Sequence, residues 1–235
     1  MSLVTIDFDG TKEPWKPWYT SIGIQAASWM ETIVFSTERN NFLEQVLSKT
    51  YTYSGYAHYE GNRRMTSTIS NSKIVDIIKG GIETYTQADQ VINLKVALET
   101  YGNKYKMGYV NTPKPLITTN KKWLDNGRVD STGGGKNDPL SVAAHWMHEW
   151  LHVAGMRHES ETKVDYDDAV YQIGYLITEI GESLGQDVQL KSGMASDFKS
   201  DIPFSDWGKA YREAVEAGAA ANEHACGYTE FNNQF

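Results

Sequence analysis

Residues 148–158 read His148-Glu149-Trp150-Leu151-His152-Val153-Ala154-Gly155-Met156-Arg157-His158, the pattern HExxHxxGxxH. His148 and His152 are four apart, so on a helix their imidazoles project from one face, one turn apart. That spacing lets both reach one zinc ion at about 2.0–2.1 Å. Glu149 follows the first histidine and is aimed at a water on the metal rather than at the metal itself. There it can take a proton and later hand it to a leaving amine. Gly155 stops the helix and turns the chain, which brings His158 in as a third ligand from outside it. Three protein ligands leave a fourth position open, as catalytic rather than structural zinc sites do. At this chain's residue frequencies the full pattern arises by chance in roughly 2 of 100,000 such sequences. The bland alternative is an amphipathic helix with incidental surface histidines.

The helix that carries the motif has a clear beginning. Asp138-Pro139 offers an N-cap and a proline at the first helical position, after the loop Asp130 to Asn137. The helix is expected to run to about Val153. Upstream, residues 30–120 read as a mixed α/β lobe. Ile33 to Phe35 is a strand candidate and Asn41 to Lys49 a helix. Tyr51 to Tyr59 reads as a strand, and Ser72 to Lys79 as a short helix or strand ended by Gly80-Gly81. Val91 to Leu98, Tyr105 to Val110 and Leu116 to Thr119 alternate as strands do. The first 30 residues, with Pro14 and Pro17 among aromatics, read as irregular. Downstream, Tyr166 to Leu184 and Ala210 to Ala221 read as helices.

The chain has 235 residues, a size that suits one domain, with a possible division into lobes at 1–155 and 156–235. Its 14 Tyr and 7 Trp supply a sizeable core. A net charge of −8 disfavours nucleic acid and anionic membrane surfaces as partners. One cysteine, Cys226, allows no internal disulfide. No stretch approaches the roughly 20 apolar residues of a membrane span. The start, Met1-Ser2-Leu3-Val4, has no signal-peptide character. A secreted or periplasmic chain without its leader is the expectation, with a cytoplasmic one as the alternative. A monomer is expected.

The motif resembles that of the metzincins, a family of zinc metallopeptidases. The resemblance covers eleven residues. It implies an α+β, zincin-like fold: an upper lobe with a twisted mixed sheet and helices, an active-site helix, and a smaller, irregular or helical C-terminal lobe. By position it implies His148, His152 and His158 as zinc ligands and Glu149 as general base. It implies a zinc endopeptidase that holds peptide or protein substrate extended along an edge strand, for which Leu116 to Asn120, preceded by Pro113 and Pro115, is the candidate. It also implies a methionine turn beneath the metal. Met194, between Gly193 and Ala195, is the sole candidate, although no tyrosine follows it two residues later. Tyr171, in Tyr171-Gln172-Ile173-Gly174, is the first choice to stabilise an oxyanion, ahead of Tyr166 and Tyr175, with core packing as the bland reading for each.

Other residues stay open between two readings. His145, three before His148, reads as a partner of a ligand, as an alternative ligand, or as a packed helix histidine. An aspartate among Asp165, Asp167 and Asp168 could replace His158 as third ligand, as in aspartzincins, but a helix N-cap with first-turn acids accounts for them better. Trp146 and Trp150 are expected to pack the helix against a lobe. The function alternative to a peptidase is a zinc-bearing binding module or effector component without turnover.

Overall fold

Residues 17–35 hide an apolar face made partly of small residues. Tyr19, Ile22, Gly23, Ala26, Ala27, Met30, Ile33 and Val34 recur at helical spacing and are all buried. In the computed structural model they form helix α1, Pro17–Phe35, with Pro17 at the first helical position, where a missing N–H costs nothing. The structure describes residues 3–35, 41–60, 63–84, 88–100, 108–111, 115–124, 139–160 and 165–184. The first 30 residues are therefore not irregular: strand β1, Val4–Asp9, precedes α1. Ile33 to Phe35 is not a strand but the last turn of α1. Glycine and alanine on the buried face weaken the apolar signal, and Pro17 mimics a breaker when it is in fact a start.

The remaining described elements follow in order. They are α2 (Phe42–Ser48), β2 (Gly55–Glu60), β3 (Arg63–Thr68), α3 (Asn71–Gly80), β4 (Ile92–Glu99), β5 (Gly108–Asn111), β6 (Leu116–Asn120), α4 (Pro139–Val153), β7 (Met156–Arg157) and α5 (Ala169–Leu184). The ambiguous segment 72–79 is helical. Ser70 caps it by accepting from the Lys73 N–H, and Gly81 ends it in the left-handed conformation. Asp138, Pro113, Met194, Cys226 and the segments 130–137 and 210–221 lie outside the described residues.

The architecture is α+β with a mixed sheet. Four strands run in the order β1-β4-β6-β5. β4 is parallel to both β1 and β6, and β5 is antiparallel to β6. β6 is not the edge that the prolines before it lead one to expect: it lies inside the sheet, and β5 is the edge beside it. Pro115 stands before the first residue of β6, so every residue of that strand keeps its N–H and can pair on both sides. Its burial agrees, since Ile117, Thr118, Thr119 and Asn120 are all inaccessible. A second sheet of three strands has the order β3-β2-β7, all antiparallel.

Helix α4 lies between layers. It packs against α1 and α5 and touches β4, β5, β6 and β7. Every residue from Leu140 to Val153 is buried, so the amphipathic surface helix with incidental histidines does not describe it. Two indoles fix its position. Trp146 donates from Nε1 to Thr119 Oγ1 on β6 at 2.9 Å. Trp150 donates to Glu83 Oε1 at 2.9 Å, and the same oxygen accepts from the Asn93 N–H of β4. No described helix is long and apolar enough to cross a membrane.

Candidate metal centre

Helix α4 presents His148 and His152 one turn apart, as their spacing requires. The helix ends at once after them. Gly155 has φ +106°, a conformation L side chains rarely adopt, and an added Cβ would stand 3.0 Å from the Tyr56 ring. The last two carbonyls of the helix are both taken. His152 O accepts from Gly155 N and from Arg157 Nη1, each at 3.0 Å. Val153 O accepts from both the N–H and the hydroxyl of Thr84. The chain then extends into β7, where Met156 pairs with Tyr56 and Arg157 with Gly55 of β2. His158 is the next residue, so a strand pairing delivers it to the cluster.

The potential metal-ligating atoms of His148, His152 and His158 all lie within 4.8 Å of one another. Ring centroids are 5.0 Å apart for His148 and His152, 5.2 Å for His148 and His158, and 4.8 Å for His152 and His158. His148 is fully inaccessible and His152 is 2% exposed.

Which nitrogen each ring offers follows from the other one. His152 Nδ1 lies 3.0 Å from the Met156 carbonyl, which can only accept, so Nδ1 carries the proton and Nε2 the lone pair. His158 Nδ1 lies 2.5 Å from Asp168 Oδ2, and the carboxylate likewise fixes Nε2 as the lone-pair nitrogen. Metal-bound histidines characteristically hand their second nitrogen to a carbonyl or a carboxylate in this way. Among the described residues, His158 Nε2 and both nitrogens of His148 have no hydrogen-bond partner. Buried imidazole nitrogens without partners are costly unless something else fills the cluster. A cation that prefers three nitrogens fits that donor set, and zinc is the commonest such ion.

Burial and neighbouring groups keep the His148 and His152 rings neutral. Burial holds His148 well below the ordinary histidine value, and the neighbouring His152, His158 and His145 lower it further. Burial also holds His152 well below that value, with His158 and Arg157 adding to the effect and the Met156 carbonyl opposing it. A neutral imidazole has the lone pair that a metal needs.

For Asp168 the sequence offers a third metal ligand or a helix N-cap. Asp168 is the N-cap, and it also holds the His158 ring. Its Oδ1 accepts from the Tyr171 N–H at 3.0 Å at the start of α5, while Oδ2 takes His158. It is 1% exposed. The segment 52–56 braces this arrangement from both sides. Thr52 N donates to Asp167 O, Ala169 N donates to Tyr53 O, and Tyr56 pairs with Met156. Tyr171 is 1% exposed and stacks on His158 with centroids 4.6 Å apart; its ring centroid is 4.7 Å from that of His148. The tyrosine ring thus forms a wall of the histidine cluster.

Glu149 and His145 complete the centre from α4. Glu149 is inaccessible and His145 is 1% exposed, with His145 Nδ1 3.6 Å from Glu149 Oε1. Burial pushes His145 down to about 3, so it is neutral near physiological pH. His145 is not among the three clustered histidines. Compared with known protein families, with curated proteins and with solved structures, the chain matches none.

Proposed function

We propose that this chain is a zinc-dependent endopeptidase with a zincin-like fold, its metal held by His148, His152 and His158. The observation that carries the reading is the convergence of three histidines, two of them with Nδ1 anchored to an acceptor and Nε2 left to ligate. Bound zinc supplies a Lewis acid for a carbonyl oxygen and lowers the pKa of a water molecule toward 7. Glu149, one residue after the first ligand, accepts the proton of the attacking water and delivers it to the departing amine nitrogen. An extended peptide pairs with β5, the sheet edge that touches α4.

Elemental analysis of purified protein tests the metal. One zinc per chain is expected in the wild type, with strong loss in His158→Ala. Full occupancy in His158→Ala would move the third ligand elsewhere and remove the resemblance to metzincins. Turnover of an unfolded protein substrate tests the base. A loss of at least about 100-fold in Glu149→Ala at unchanged zinc content is expected from the size of general-base contributions.

A second reading, a zinc-bearing binding module without turnover, draws on the burial of the centre, since neither His148 nor Glu149 exposes any surface. Equal residual turnover in wild type and Glu149→Ala would favour it.

A further inference from the structure

His145 is a buried imidazole whose ring nitrogens have no hydrogen bond among the described residues. Such a group needs a reason to be there, because an apolar side chain of similar size would avoid the desolvation cost. Two facts place it. It stands one helical turn before Glu149 on α4, and its Nδ1 is 3.6 Å from Glu149 Oε1. On its other side it meets the edge strand β5 at Gly108, where an added Cβ would lie 2.5 Å from His145 Nε2. A larger residue at 108 would collide with the Thr118 carbonyl of β6 as well as with the ring, so the glycine brings β5 close to both.

We propose that His145 is a positioning residue for Glu149, donating its Nδ1–H to Oε1 so that the other carboxylate oxygen faces the reacting water. This rests on the reading of Glu149 as the general base. At 3.6 Å the pair is just beyond hydrogen-bond length, and a shift of less than about 1 Å closes it. Contacts of this kind are often long in unliganded enzymes and tighten around substrate. A neutral ring has one N–H, and Oε1 is the acceptor that faces Nδ1. The ring also links the base to β5, so a strand laid on that edge presses on the residue that aims the carboxylate.

The test combines kinetics with a readout that needs no turnover. His145→Leu keeps the volume and removes the donor; His145→Gln keeps a donor. The expected result is a fall in kcat of about 10- to 100-fold for His145→Leu, with KM within about twofold and zinc content unchanged, the usual size of an effect on a group supporting an active-site residue. His145→Gln recovers most of that loss. Wild-type kcat in His145→Leu, or equal losses in both variants that track their melting temperatures, would overturn the proposal. Independently, nitrogen-15 chemical shifts of labelled histidine, in the full chain with zinc added, report the His145 tautomer. The Nδ1–H form is expected in wild type, with the preference lost in Glu149→Leu. The Nε2–H form in wild type would overturn the proposal even if the chain cleaves peptides. If no peptide is cleaved, the tautomer still decides the role of His145 separately from the peptidase reading.

Discussion

Asp168 carries two duties through its two carboxylate oxygens, and substitutions separate them. Asp168→Ala removes both the cap of α5 and the anchor of His158. Loss of an N-cap costs about 1 kcal/mol, and loss of a carboxylate behind a ligating histidine lowers metal affinity about 10- to 100-fold. Asp168→Asn keeps an oxygen that can cap the helix but replaces the charged acceptor of His158. The expected outcome is a melting temperature near wild type for Asp168→Asn and a lower one for Asp168→Ala, with zinc binding weakened in both. Competition against a chromophoric chelator measures the affinities. Unchanged affinity in both variants would show that the contact between His158 and Asp168 does not govern the metal.

At the scale of elements, the site depends on how α4 ends. Gly155 holds φ +106° beside Tyr56, and the chain must reverse there for β7 to pair with β2. A Cβ at 155 strains the backbone by about 1–3 kcal/mol. The strain falls on the turn that sets His158, so Gly155→Ala should lower both thermal stability and zinc affinity. Differential scanning calorimetry with and without zinc checks this. A drop in stability with zinc affinity untouched would mean that His158 is placed by Asp168 and α5 alone. The cross-strand pairing of β2 with β7 spans about a hundred residues of sequence, from Gly55 to Arg157, and no local periodicity announces it.

The whole molecule links its stability to protons through the buried imidazoles. An unfolded histidine protonates near 6.5, whereas His145 stays neutral in the folded chain down to about 3. His148 and His152 are held low in the same sense. Below 6.5 the unfolded chain therefore binds more protons than the folded one. Stability of the metal-free protein is full above about pH 6.5 and falls as the pH drops, by about 1.4 kcal/mol per pH unit for each such histidine. Urea unfolding in the presence of a chelator at pH 7.5, 6.5 and 5.5 should show this fall. Flat stability across that window would mean that the rings accept protons without leaving the fold. On the proposed zinc reading, bound metal would add about 4 kcal/mol at a thousandfold excess over its dissociation constant, and would lose it in acid as protons compete for the same lone pairs.

The motif, the extent of α4 up to Val153 and the stop at Gly155 were legible in the sequence, because helix geometry relates residues one turn apart without reference to the rest of the chain. The same local rules found β2, β4, β5 and α5, with boundaries shifted by a few residues, and left α3 open between helix and strand. They missed α1, whose buried face uses Gly23, Ala26 and Ala27, and they put the sheet edge at β6 because prolines beside a strand suit an edge better than a sheet centre. The Met156 carbonyl and the Asp168 carboxylate that fix the tautomers of His152 and His158 emerged only from tertiary structure. So did the seat of His145 against Gly108. Each of these depends on where a turn, a strand pairing or a helix start is carried by packing. Sequence by itself determined which atoms could bind a metal; only the folded chain decided which nitrogen of His152 and of His158 would face it.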